Sequence, residues 1–149
     1  MTTDRTTLGR FTTRLATQAD TQAILAFDAV ARQERERVNF IYRTVSSRNC
    51  HVVTCDQKVV GYGVLESSFF GHGFVSMLYV DADHRRRGAG TALMGHLERM
   101  CKSSRLFTAC GQSNKAMQAM LEAMGYRPSG VIENISDEPE LIYCKILRD

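Results

Sequence analysis

Two rhythms of apolar spacing divide the chain. Between Thr17 and Ser46 apolar residues recur every three or four positions: Ile24, Phe27 and Val30, then Val38, Ile41, Tyr42 and Val45. That spacing puts them on one face of a helix, so two amphipathic helices are predicted, with Thr17 or Asp20 capping the first. Ahead of them FTTRLAT, Phe11 to Thr17, reads as a strand, and the polar, patternless residues 1–9 read as a flexible leader.

From His51 the rhythm changes. HVVTC (51–55), VVGYGVLESS (59–68) and FVSMLYV (74–80) are β-rich runs separated by a DQK turn and a glycine-bearing FFGHG turn, the pattern of an antiparallel meander. Helical spacing returns from Thr91 to about Cys101, with Leu93, Leu97, Met100 and Cys101 on one face, and LFTAC (106–110) is the next strand. Ser113 or Asn114 then caps a helix whose apolar stripe is Met117, Met120, Leu121 and Met124, with Gly125 at the C′ position. Tyr126–Ile135 and Leu141–Leu147 complete the sheet, joined by the acidic SDEPE. The predicted order is β-α-α-β-β-β-α-β-α-β-β, an α/β chain of the α+β kind. Its sheet is mixed and mostly antiparallel, flanked by about four helices.

A length of 149 residues suits one domain spanning 1–149, and 44% apolar with 23% charged residues is ordinary globular composition. The net charge of +3 equals the contribution of Arg85, Arg86 and Arg87, since the other 16 basic side chains match 16 acidic ones. Such a local excess, with a pI of 8.7, argues against a general nucleic-acid binder. Five cysteines without a C-x-x-C pair predict a reducing, cytoplasmic setting. With no apolar run near the roughly 18 residues of a membrane span, no membrane association is predicted.

His84-Arg85-Arg86-Arg87-Gly88-Ala89-Gly90 stands between a predicted strand and a predicted helix. A helix start leaves backbone N–H groups unpaired and carries a positive dipole end, while glycines let an anion approach the backbone closely. The segment is shaped for a phosphate-bearing ligand, most simply a pyrophosphate; a solvated arginine cluster at a tight turn is the alternative. It is not a P-loop, and Leu93 and Cys110 stand where a dinucleotide fingerprint needs a glycine and an acid.

Arg85-Arg86-Arg87-Gly88-Ala89-Gly90 resembles the [QR]-x-x-G-x-[GA] signature of the GNAT family of N-acetyltransferases, preceded by a strand ending Leu78-Tyr79-Val80 and an Asp-Ala-Asp turn. NKAMQAMLEAMGY is similar to that family's N-x-x-A-x-x-x-Y-x-x-x-G-[FY] segment, with Asn114, Gly125 and Tyr126 in register and Met117 in place of the alanine. The order of elements is also the family's, so the resemblance runs from about Phe11 to Leu147. It implies acetyl-CoA as cosubstrate, no metal, and a pyrophosphate held on the N–H groups of Arg86, Arg87, Gly88, Ala89, Gly90 and Thr91, with Arg85 adding charge. It further implies that the backbone of Leu78, Tyr79 and Val80 pairs with the pantetheine arm, with Asn114 on its far side.

The chain departs from the family at two places: Leu121 stands where many members carry the tyrosine that protonates the leaving thiolate, and Ala109 replaces a glutamate common in members that acetylate protein N-termini. Glu66, near the end of a central strand, is then the remaining candidate base, and Tyr79 or Tyr143 the candidate acid. A route through an acyl-cysteine at Cys110 or Cys144 is disfavoured, because no histidine is adjacent and buried thiols are inert. Cys50 and His51 should point to opposite faces of their strand, and His72, His84 and His96 read as turn or helix-surface residues.

Glu133, Asp137, Glu138 and Glu140 crowd the last strand pair and favour a cationic amine acceptor, small molecule or peptide; a merely solubilising charged hairpin is the other reading. The ERER run, Glu34 to Arg37, reads as a solvent face. Family members often form homodimers, although none of these residues demands one. The alternative to an enzyme is a catalytically weak module that binds or senses acyl-CoA.

Overall fold

The computed structural model describes residues 6–8 and 10–148. Its elements are β1 (Thr6–Leu8), β2 (Phe11–Leu15), α1 (Thr21–Phe27), α2 (Arg35–Ser46), β3 (Cys50–Cys55), β4 (Lys58–Phe69), β5 (His72–Val80), α3 (Ala89–Met100), β6 (Arg105–Gly111), α4 (Lys115–Ala123), β7 (Arg127–Ile132) and β8 (Glu140–Ile146). The class is the predicted one: a mixed, mostly antiparallel α+β fold. Of the described strand pairs, β5 with β6 is parallel.

Residues 6–8, expected within a leader, instead pair antiparallel with β2, Thr6 opposite Thr13 and Leu8 opposite Phe11. An edge strand is held by backbone bonds on one side and needs no apolar alternation, so no pattern announces it. The rest of that predicted leader, residues 1–5 and 9, lies outside the described residues.

The chain forms two compact units, Met1–Leu65 with Met77–Met100, and Glu66–Ser76 with Cys101–Asp149. Strands β4 and β5 pass through both. In the first unit the strand order is β1-β2-β3-β4-β5. Every residue of β3 is buried, because helices cover both of its faces. On one face Ile24, Ile41 and Val45 of α1 and α2 pack with Cys50, Val52, Val59, Tyr62 and Val64. On the other, Ala89, Ala92 and Leu93 of α3 pack with Phe11, Val53 and Val60.

Val59 and Val60 serve opposite faces, yet Tyr62 and Val64 share the face of Val59. A register shift between Val53 and Thr54 accounts for this, since one extra residue in β4 reverses the alternation beyond it. Cys50 and His51 do point to opposite faces, Cys50 into the α1 and α2 core and His51 to α3, where its Nδ1 lies 2.9 Å from His96 Nε2.

His96 and Tyr42 differ from the expectation. His96, expected on a helix surface, is fully buried; it lies three residues after Leu93 and one before Leu97, inside the apolar stripe of α3. Tyr42 is 48% exposed, and Thr44 takes the buried position, its hydroxyl donating to the Phe40 carbonyl at 2.9 Å. A helix stripe about 100° wide leaves residue 42 at its margin.

In the second unit the order is β4-β5-β6-β8-β7. Helix α4 buries Leu121 completely and ends, as predicted, at Gly125, whose φ of +93° suits a left-handed C′ residue. Strand β7 is exposed along its whole length, and its register with β8 shifts between Pro128 and Val131. A proline and a bulge are common ways to keep an edge from pairing with another chain.

Candidate active site

The arginine and glycine segment leads straight into α3. Arg86 has φ +64° and Gly88 φ +96°, a left-handed turn that reverses the chain after Val80. The first helical bond runs from Ala92 N–H to the Gly88 carbonyl at 2.9 Å, so Gly88 takes the cap position and the N–H groups of Ala89, Gly90 and Thr91 precede that bond. The helix begins two residues earlier than its apolar spacing predicts, which brings Ala89 and Gly90 into the first turn. A Cβ built on Gly88 would meet only Phe11, 3.7 Å away, so the space above this turn is open.

The turn is braced from below. Asp81 N–H donates to the Val60 carbonyl at 2.7 Å, His84 N–H to the Asp81 carbonyl at 2.8 Å, and His84 Nδ1 lies 3.2 Å from the Asp81 carboxylate. Arg85 folds back: its Nε donates to the Val80 carbonyl at 2.8 Å and its guanidinium lies 5.3 Å from the centre of the Tyr79 ring. Arg86 and Arg87 are exposed. Of the three arginines, Arg85 thus orders the strand end, while Arg86 and Arg87 leave their charge in solvent beside the helix start.

Two glycines bring β4 close to β5. A Cβ on Gly61 would stand 2.9 Å from the Tyr79 carbonyl oxygen, and one on Gly63 would stand 3.3 Å from the Met77 carbonyl oxygen and 2.9 Å from Leu97 of α3. The parallel ladder of β5 with β6 pairs Gly73–Val75 with Leu106–Thr108.

Tyr79 is the hub of a network that the sequence pattern does not reveal. Its hydroxyl accepts the Ala29 N–H at 3.0 Å, and its ring lies 6.2 Å from Phe27 and 6.1 Å from Tyr62. Beside it Asp28, fully buried, accepts from Val30 N–H at 2.9 Å, Ala31 N–H at 3.2 Å, Arg37 at 2.8 Å and the Tyr62 hydroxyl at 2.5 Å. Burial first, then the Asp28 carboxylate, push the Tyr62 phenol well above its ordinary pKa, so Tyr62 stays a donor. Arg37 therefore does not belong to a solvent face: it is the inward member of the ERER run. The available signal is its place one helical turn before Ile41, on the stripe side.

The other predicted site residues lie in the second unit. Glu66 is half-buried on β4. Asn114 caps α4, its side-chain oxygen accepting the Met117 N–H at 3.1 Å. Leu121 is a core residue, and Tyr143 is buried on β8. The Cys110 thiol is pushed up by burial and by Glu140 and Glu138, and the Cys144 thiol by burial, which disfavours the thiolate either would need as a nucleophile. Among the described residues no group of three or more His, Cys, Asp or Glu is arranged to hold a metal ion, and no helix is long and apolar enough to cross a membrane.

Comparison with known proteins agrees with this geometry. Among solved structures, an acetyltransferase of the GNAT family from Bacillus cereus ATCC 10987 is 26% identical, with a TM-score of 0.86 over 93% of this chain and 98% of that one. The ribosomal-protein-S18-alanine N-acetyltransferase from Escherichia coli (18% identical, TM-score 0.74, 92% and 94% covered) shares the fold. So does an acetyltransferase from Salmonella typhimurium solved with its cofactor acetyl-CoA (17% identical, TM-score 0.74, 95% and 96% covered). No curated protein matches the chain. The model of the acetyltransferase (GNAT) family matches residues 18–126, which span both helices of the first face, the arginine and glycine turn, and α4. The chain belongs to the GNAT family of acetyltransferases.

Proposed function

We propose that this protein is an N-acetyltransferase that carries the acetyl group of acetyl-CoA to a primary amine by direct attack within a ternary complex. The observation that carries the reading is the turn at Arg86 and Gly88 opening onto the first three N–H groups of α3, with open space above Gly88. Those donors and the dipole end of a twelve-residue helix match a pyrophosphate, and the exposed Arg86 and Arg87 screen its charge. Leu78, Tyr79 and Val80 follow the part of β5 that pairs with β6, so their backbone groups are candidates to pair with the pantetheine arm as an added strand would. Asn114 keeps its side-chain NH2 as a donor while its oxygen caps α4.

An alkyl ammonium has a pKa of about 10.4, so one proton must leave before its nitrogen can attack. Glu66, directly or through water, takes that proton. The nitrogen then bonds to the thioester carbon, and backbone N–H near Leu78 or Tyr79 steadies the negative oxygen. When the C–S bond breaks, its electron pair goes to sulfur. Tyr79 donates its hydroxyl proton to the thiolate and regains one from the nitrogen; because this hydroxyl accepts from Ala29 N–H, its own proton is available. A thiol of pKa about 8.5 also leaves without full protonation, so Tyr79 assists the step and is not indispensable to it.

A second reading, a module that binds acyl-CoA with little turnover, is favoured by the fully buried Leu121. Incubation with acetyl-CoA and a panel of amines, following release of free thiol, tests both. Turnover tracking one acceptor supports the enzyme, whereas thermal stabilisation by acetyl-CoA without turnover supports the module. Absence of any acetyl-CoA effect overturns the two together.

A further inference from the structure

The second unit holds a cavity of about 190 Å³ on one face of β5, β6 and β8. Its apolar wall is Phe69, Phe74, Ala109, Ile132, Ile135 and Ile142. Phe69 stacks on Phe74 with ring centres 4.6 Å apart and leans on Phe107 at 5.2 Å, so one side of the wall is aromatic. Ile132 and Ile135 at the mouth are 39% and 63% exposed. The volume is modest: about 150 Å³ accommodates a benzene ring, and drug-sized ligands need about 300 Å³ or more.

Two polar groups interrupt this surface. Ser76 Oγ is buried and has no hydrogen-bond partner among the described residues, which is costly for a hydroxyl facing apolar neighbours. Glu140, half-buried, lines the same cavity and makes no hydrogen bond or ion pair with a described side chain. Its neighbour Glu138 is committed elsewhere, accepting Ser113 N–H at 2.7 Å and the Ser113 hydroxyl at 2.9 Å in a space that exists because residue 111 is glycine. One carboxylate and one orphaned hydroxyl beside a ring-sized apolar slot complement an ammonium joined to a compact apolar body. Ser76 also precedes Leu78 by only two residues on the same strand.

We propose that this cavity selects the acceptor, and that the acceptor is a primary amine whose nitrogen carries one aromatic or compact apolar group two or three bonds away. The ring lies against Phe69 and Phe74, and the ammonium donates to Glu140 and to Ser76 Oγ. This rests on the acetyl-transfer reading above. The same chemistry is offered by a free arylalkylamine and by the first residue of a peptide beginning with phenylalanine.

The test measures acetyl transfer to phenethylamine, to a tetrapeptide beginning with phenylalanine, and to spermidine, alongside stabilisation by acetyl-CoA and calorimetric binding of phenethylamine alone. The expected result is a kcat/KM at least tenfold higher for one of the two aromatic amines than for spermidine; whichever leads identifies the source. Ala109→Leu, which fills the slot, should raise KM for that amine about tenfold with acetyl-CoA stabilisation unchanged. Ile135→Ser, at the exposed mouth where folding is not at risk, should raise it two- to fivefold, and Glu140→Gln at least tenfold. An enzyme that binds acetyl-CoA but prefers spermidine, or that is indifferent to all three substitutions, overturns the proposal and leaves the acetyl-transfer reading standing. Phenethylamine bound by the native protein and not by Ala109→Leu, with no transfer to any amine, supports the cavity assignment and overturns the acetyl-transfer reading instead.

Discussion

In the first unit the Asp28 carboxylate is fully buried and accepts four hydrogen bonds, whereas in the second the Ser76 hydroxyl is buried and accepts none. Both arrangements are polar groups withdrawn from water, and their energetics are opposite. A satisfied buried carboxylate fixes the backbone around it, in this case the segment between α1 and α2 that also anchors Tyr79. An unsatisfied hydroxyl beside a cavity is a cost that a ligand removes. The first unit, on this view, supplies a prearranged frame that carries the arginine and glycine turn, and the second a cavity with an unmet polar group. His96 is the exception in the first unit, since its Nδ1 is buried without a hydrogen-bond partner among the described residues.

The contrast is most sharply broken at Asp28. Asp28→Ala removes the carboxylate that pairs with Arg37 and accepts from the Tyr62 hydroxyl, and should cost about 3–5 kcal/mol, read by urea denaturation. A loss below about 1 kcal/mol would show that the network does not hold the frame.

At the turn proposed to hold the pyrophosphate, Gly88→Glu places a carboxylate at the helix start and a side chain at φ +96°. Acetyl-CoA affinity should fall at least about a hundredfold, about 2.7 kcal/mol, with about 1–2 kcal/mol of backbone strain. Gly88→Ala carries the strain without the charge, so the difference between the two variants, measured by titration, isolates the electrostatic part.

His96 gives a pH signature confined to the first unit. Burial foremost, with the charges of His51 and Arg99, pushes its pKa down to about 4. Between its ordinary value of about 6.5 and about 4 the unfolded chain binds the proton and the native protein does not. Stability should therefore fall as pH drops through that window, by about 1–3 kcal/mol, and the contribution should level off below it. His96→Met, similar in volume, should flatten the melting temperature between pH 6.5 and 4; an unchanged slope would assign the pH dependence elsewhere.

The smallest effect is expected in the second unit. Asn114→Ala removes the cap of α4 and should cost about 1 kcal/mol, seen as a small fall in melting temperature. A change in acetyl-CoA affinity larger than that fall accounts for would show that Asn114 also contacts the cosubstrate.

How far the chain announces this molecule depends on the range of each interaction. The helices, the meander and the Gly125 stop follow from spacing within a dozen residues, and the arginine and glycine turn is visible because its N–H groups belong to consecutive residues. Position 37 reads as one more charge in ERER, and position 96 as a polar residue on a helix, because their partners Asp28, Tyr62 and His51 are distant in sequence. Ser76, Phe69, Ala109 and Glu140 carry no common motif for the same reason.

Near neighbours along the chain thus dictate the order and kind of the elements and the glycine turn that opens α3, since periodicity, glycine and helix ends all act locally. Which polar groups are satisfied in the interior, and which are left facing a cavity, emerges only on packing. Desolvation depends on what every distant strand and helix brings to the same place.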